Sequence, residues 1–93
     1  MTRDILQTIL RAAGSLQEKG GVYRAPAEAR VTFYLGSDGR GLSVPQVEEI
    51  RLEDNFIVLK TKETGQIFAE YGALYAVSTQ PPKENAPNKA GFA

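Results

Sequence analysis

Cysteine and histidine are both missing from this 93-residue chain. Without cysteine there is no disulfide, no thiolate metal site and no cysteine nucleophile. Without histidine the chain lacks the commonest general base at neutral pH, the commonest metal ligand and the usual pH switch. An enzyme would have to work with carboxylates, Lys, Tyr, Ser or Thr alone, and small proteins rarely hold a pocket of the ~300 Å³ or more typical of ligand sites. No catalytic activity, no metal and no cofactor are therefore expected. Long apolar runs are missing as well: nothing approaches the roughly 18 residues of a membrane helix, and no signal-peptide pattern stands at the start. Arg3, Asp4 and Arg11 interrupt the apolar positions near Met1. A cytoplasmic location without membrane contact is the expectation.

Neither sign of charge is in excess, with 11 basic and 11 acidic side chains, but they are unevenly spread. Residues 1–35 carry Arg3, Arg11, Lys19, Arg24 and Arg30 against Asp4, Glu18 and Glu28, a net of +2. Residues 36–80 carry Arg40, Arg51, Lys60 and Lys62 against Asp38, Glu48, Glu49, Glu53, Asp54, Glu63 and Glu70, a net of −3. A nucleic-acid surface normally shows the reverse balance in its binding part. The length predicts one domain. A chain this short buries only about two-thirds of the surface that its unfolded form exposes, so pairing with copies of itself would add stability.

Ile5, Leu6, Ile9, Leu10, Ala13 and Leu16 recur at three- and four-residue intervals, the stripe of an amphipathic helix. Thr2 is placed to cap it and Asp4 lies in its first turn, where the helix dipole favours an anion. Gly20-Gly21 is the expected stop, which predicts a helix over about 2–19. Residues 20–29 read as a connector. From Arg30 the period changes to two: Val31, Phe33 and Leu35 alternate with Thr32 and Tyr34 as in a half-buried strand. Turn chemistry follows at residues 36–39, 53–55 and 62–65. Pro45 cannot donate to a ladder and belongs at an edge, bulge or bend. Phe56-Ile57-Val58-Leu59 is a continuous apolar run, expected to be a strand covered on both faces. Gln66 to Glu70 and Leu74 to Ser78 complete five short strands over about 30–78, a pattern for a small barrel or sandwich. Residues 1–80 form the domain. The proline-rich, polar stretch 81–93 is expected to be a disordered tail.

The order of one helix, five short strands and a polar tail resembles the Sm-like fold, especially the bacterial RNA chaperone Hfq. Ile50-Arg51-Leu52-Glu53-Asp54-Asn55-Phe56-Ile57-Val58-Leu59 is similar to that family's first motif, with an apolar residue four before an Asp and an aromatic two after it. Gln66 through Val77 falls where the second motif should. About half of the chain is covered. The resemblance implies a mainly β protein with an N-terminal α-helix and a small open five-stranded Sm-like barrel. It further implies a homo-oligomeric ring joined by sheet-edge pairing, whose pore face binds single-stranded RNA. Departures exist: Glu70 and Tyr71 stand near the place of the family's Lys-His pair, and Glu48 replaces an expected glycine. A carboxylate there repels phosphate, so a structural or protein-interaction oligomer without RNA binding is the alternative.

Carried over residue by residue, Asn55 and Phe56 are the candidates for base contact, with Tyr71 as a stacking surface in the turn. The favoured reading of Phe56 is nonetheless a core phenylalanine opening a buried strand. An Asn after Asp more often simply shapes a turn. Asp54 is expected to brace its loop by accepting backbone hydrogen bonds. Arg3 and Arg11, eight residues apart and so about 80° apart around a helix, would with Lys19 make a basic rim for phosphates, or simply a solvated helix surface. Tyr75, like Tyr71, fits a subunit contact as an amphipathic ring. Glu48, Glu49, Glu53 and Asp54 match no metal-loop spacing. The glycines around Asp38 lack the GK[ST] continuation of a phosphate loop.

Overall fold

In the computed structural model, residues 1–37 and 40–80 are described. The expected tail over 81–93 and the tip of the 36–39 turn lie outside that range. Helix α1 spans Arg3–Ala13. Thr2 caps it as the sequence suggests, its hydroxyl accepting the Ile5 N–H at 3.2 Å. The helix stops at Gly14, which adopts the left-handed conformation with φ 74°. It ends six residues before the expected limit at about 19, and Leu16 continues the apolar stripe by packing on the core from non-helical backbone.

The stretch read as helix end and connector is instead a hairpin. Strand β1 (Gln17–Lys19) pairs antiparallel with β2 (Val22–Arg24). Gly20 and Gly21 both have positive φ, 61° and 82°, as the two central residues of a tight hairpin turn require. The remaining strands are β3 (Arg30–Ser37), β4 (Arg40–Val44), β5 (Val47–Leu52), β6 (Phe56–Thr61), β7 (Gly65–Glu70) and β8 (Leu74–Gln80), with a 3-10 turn at Tyr71–Ala73. The count is eight strands where five were expected, because the short β1 and β2 carry no alternation and Pro45 divides β4 from β5.

The protein is therefore mainly β with one N-terminal helix. All pairings are antiparallel, and they form two sheets ordered β1-β2-β5-β6-β7 and β4-β3-β8, without closure into a barrel among the described residues. The chain passes from one sheet to the other through Pro45 and Gln46. The core lies between the sheets: Val31, Phe33 and Leu35 from β3 and Leu74 from β8 meet Ile50, Ile57 and Leu59 from β5 and β6. Leu6 and Leu10 of α1 and Tyr23 of β2 complete it. The β6–β7 turn is stitched by Thr61, a buried polar residue whose hydroxyl accepts the Thr64 N–H at 2.9 Å and donates to Gly65 O at 3.2 Å.

Candidate functional site

The residues singled out in the sequence separate into two places. Asp54, Asn55 and Phe56 form the exposed β5–β6 turn, held by the backbone through Glu53 N–H donating to Phe56 O at 2.9 Å. The Asp54 side chain is exposed, and the backbone hydrogen bond that closes the turn does not involve it. Tyr71 lies under the turn rather than open to solvent. It is buried, and its hydroxyl donates to Glu53 O at 2.6 Å. Its ring is spent on the interior and presents no stacking face. Arg3 stands next to it at the start of α1, and the nitrogen of Met1 donates to Tyr71 O and Leu74 O, both at 2.9 Å.

Burial raises the Tyr71 phenol above its ordinary value. The Arg3 charge works in the opposite direction, while Glu53 and Asp54 add to the rise. A raised value means that the folded state keeps the proton longer than the unfolded chain does. The resulting stability is complete below pH 10 and is lost as pH climbs through the folded value. Tyr71→Phe should accordingly cost about 0.5–1.5 kcal/mol at neutral pH by removing one net hydrogen bond. It should also flatten the alkaline fall in urea-unfolding stability above pH 10. An unchanged alkaline slope in the variant would remove this assignment.

Arg11 is not brought to that end. It lies about 12 Å further along the helix axis at 1.5 Å per residue, and its guanidinium donates two hydrogen bonds, both 3.0 Å, to the Glu18 carboxylate. The pair raises the Arg11 value and lowers that of Glu18. Here the helix end is tied to β1, above the buried Tyr23, whose hydroxyl closes no hydrogen bond of its own. Lys19 is on β1 and not on the helix.

Phe56 points away from the core. It is 39% exposed and stands beside Phe68 of β7, which is 63% exposed, with ring centroids 6.1 Å apart and planes tilted by 44°. Val22, Arg51, Val58 and Phe68 lie in one cross-strand row on this outer face. Val58, between Arg51 and Phe68, is buried although it faces away from the main core. Two cations of the face are matched, Arg24 with Glu49 at 3.4 Å and Arg51 with Glu53 at 3.6 Å, while Lys60, next after Val58 on the same face of β6, takes part in no ion pair among the described residues. A second aromatic pair, Tyr34 with Tyr75 at 6.2 Å, lies on the other sheet. Tyr75 is 58% exposed and reaches over Gly41, where an added Cβ would meet its hydroxyl at 3.1 Å.

Sequence reasoning named Phe56 and Tyr75 but missed Phe68. The signal was present in the two-residue period that sets Phe68 opposite in phase to Ile67. What it lacked was the knowledge that β7 is an edge. No protein-family model, no curated protein and no solved structure matches this chain.

Proposed function

We propose that the chain is an Sm-like protein-interaction oligomer: a ring in which the free edge of β7 in one copy pairs with the free edge of β8 in the next. One observation carries this reading. β7 and β8 are sheet edges of six and seven residues, contain neither lysine nor proline, and each exposes an aromatic ring, Phe68 and Tyr75. Edges of this length without lysine or proline are templates for pairing with another chain; the register shift at Tyr75 interrupts the start of β8 and leaves Ala76–Gln80 in regular register for it. The other two edges differ. β1 has three residues, Gln17, Glu18 and Lys19, all exposed, and β4 runs directly into Pro45. Because two different edges meet, the contact is head-to-tail and generates a ring when the rotation closes.

The protein-interaction reading is favoured over single-stranded RNA by the state of the candidate contacts. Tyr71 is buried, Arg11 is engaged by Glu18, and Arg24 and Arg51 on the face of Phe56 and Phe68 have carboxylate partners. That leaves Asn55 and Phe56 exposed, Arg3 beside the buried Tyr71, and Lys60 further along β6 as a cation unpaired among the described residues, short of a continuous basic surface.

Light scattering on a sizing column should give a multiple of the 10.1 kDa protomer. Phe68→Lys and Tyr75→Lys should each reduce the mass to one protomer, and an equimolar mixture should recover a dimer, since one intact β7 and one intact β8 remain. A wild-type protomer mass would end the proposal. A mixture that stays monomeric would exclude the head-to-tail contact. Filter binding to uridine-rich oligomers across a salt series is expected to show no affinity; a salt-dependent affinity would replace this reading with the RNA one.

A further inference from the structure

At the opposite end of the β5–β6 hairpin from the Asp54 turn, a cleft of about 590 Å³ opens between the β2–β3 connector and the Pro45–Gln46 corner. That is the size of a small-molecule site, roughly 300–1,000 Å³, where the chain length led us to expect none. Its backbone is unusual at two adjacent places. Gln46 has φ 58°, a left-handed conformation that a non-glycine residue adopts at a cost and that clusters at functional sites. The register of β5 on β6 shifts between Val47 and Glu49, which makes Glu48 the bulged residue. Bulges re-aim a side chain and are frequent beside binding sites. The corner is pinned on both sides, by Ala25 N–H to Glu48 O at 2.9 Å and by Lys62 N–H to Gln46 O at 3.3 Å.

The side chains around this frame are charged and incompletely matched. Four cations line the cleft: Arg24, Arg30, Lys60 and Lys62. Arg24 is engaged by Glu49 at 3.4 Å. Arg30, Lys60 and Lys62 take part in no ion pair among the described residues, and neither do the lining carboxylates Glu28 and Glu48. The facing wall is made of alanines and Pro26, which leave room and offer apolar surface. Three spare cations ask for an oxyanion, and two spare carboxylates ask for a hydroxyl or amino donor on the same molecule.

We propose that this cleft binds a small organic oxyanion, a phosphate ester or a carboxylate, that also carries hydroxyl or amino groups. The oxyanion sits against Arg30, Lys60 and Lys62; the donors face Glu28 and Glu48. This site is independent of the ring contact, since it lies on neither β7 nor β8.

Titration of the ¹⁵N-labelled full chain with O-phosphoserine, glycerol 3-phosphate, citrate and inorganic phosphate tests it, with amide shifts as the readout. Saturable shifts confined to residues 24–30, 46–49 and 60–62 are expected for at least one organic probe, with the phosphate esters and citrate telling the two oxyanion sources apart. Lys62→Gln combined with Arg30→Gln alters only exposed side chains and should weaken that binding roughly tenfold or more, the loss of charge-assisted hydrogen bonds. Glu48→Gln should weaken O-phosphoserine more than inorganic phosphate. Shifts that grow linearly without saturation, or that appear equally at Lys19, would overturn the proposal, as would saturable binding untouched by the double substitution.

Discussion

Phe33→Ala should lower the unfolding free energy by about 3–5 kcal/mol, the usual cost of removing a fully buried aromatic ring, whereas Phe56→Ala should cost about 1 kcal/mol or less, as expected for a partly exposed surface side chain. Phe33 is fully buried in the middle of β3, with Val44 and Val77 as its neighbours across the ladder on either side. Its ring fills the space between the two sheets, and its removal leaves a cavity that β-sheet backbone cannot readily close. Phe56 opens a strand of continuous apolar residues, which invites the reading that it too is core. The register decides otherwise. Ile57 and Leu59 are fully buried in the inter-sheet core, so Phe56 and Val58 take the opposite face. Most of what Phe56 contributes is contact with Phe68, worth about 0.5–1.5 kcal/mol for an aromatic pair of good geometry. Urea unfolding of both variants distinguishes them, and equal losses would show that the register of β6 is wrong.

Leu10→Ala should cost about 2–5 kcal/mol and Ile5→Ala well under half of that, because truncation cost follows burial and the cavity left behind. Both residues belong to the same apolar stripe and have similar hydrophobicity. Leu10 is 1% exposed and packs into the core with Leu6, whereas Ile5 is 52% exposed at the margin of the stripe. For a domain whose total stability is of order 5–15 kcal/mol, the Leu10 change removes a large share. The loss should appear in the whole cooperative transition and not only in helix content, since α1 is part of the single core. A variant that sheds helical signal while the sheets unfold at an unchanged urea midpoint would show that the helix is an appendage.

Much of the architecture was legible because its determinants are local. Thr2 as cap, the Leu6–Leu10 stripe, the alternation of β3 and the turn chemistry at residues 53–55 and 62–65 all act within a few residues of chain. The end of the helix was less legible. Gly14 and Gly20-Gly21 offer competing stop signals, and Leu16 extends the apolar stripe past the true end. Gly20-Gly21 reads as a helix terminator in isolation and serves instead as the turn of a hairpin whose strands are too short to show a period.

The candidate sites show the same division. Residue types at Asn55, Phe56, Arg3, Arg11 and Tyr71 were visible, but their availability was not. Tyr71 turns inward to Glu53, and Arg11 is taken by Glu18 seven residues later on a different element. The charged cleft gathers residues from 24 to 62 in the chain, so no local motif could announce it. Sequence by itself determined the class of α1 and of the longer strands and which of their side chains share a face, since side-chain period is a property of the local backbone. Tertiary structure alone decided which face is covered, which strands are edges and which charges meet, because sheet order and the β4–β5 corner bring together groups that lie far apart in the chain.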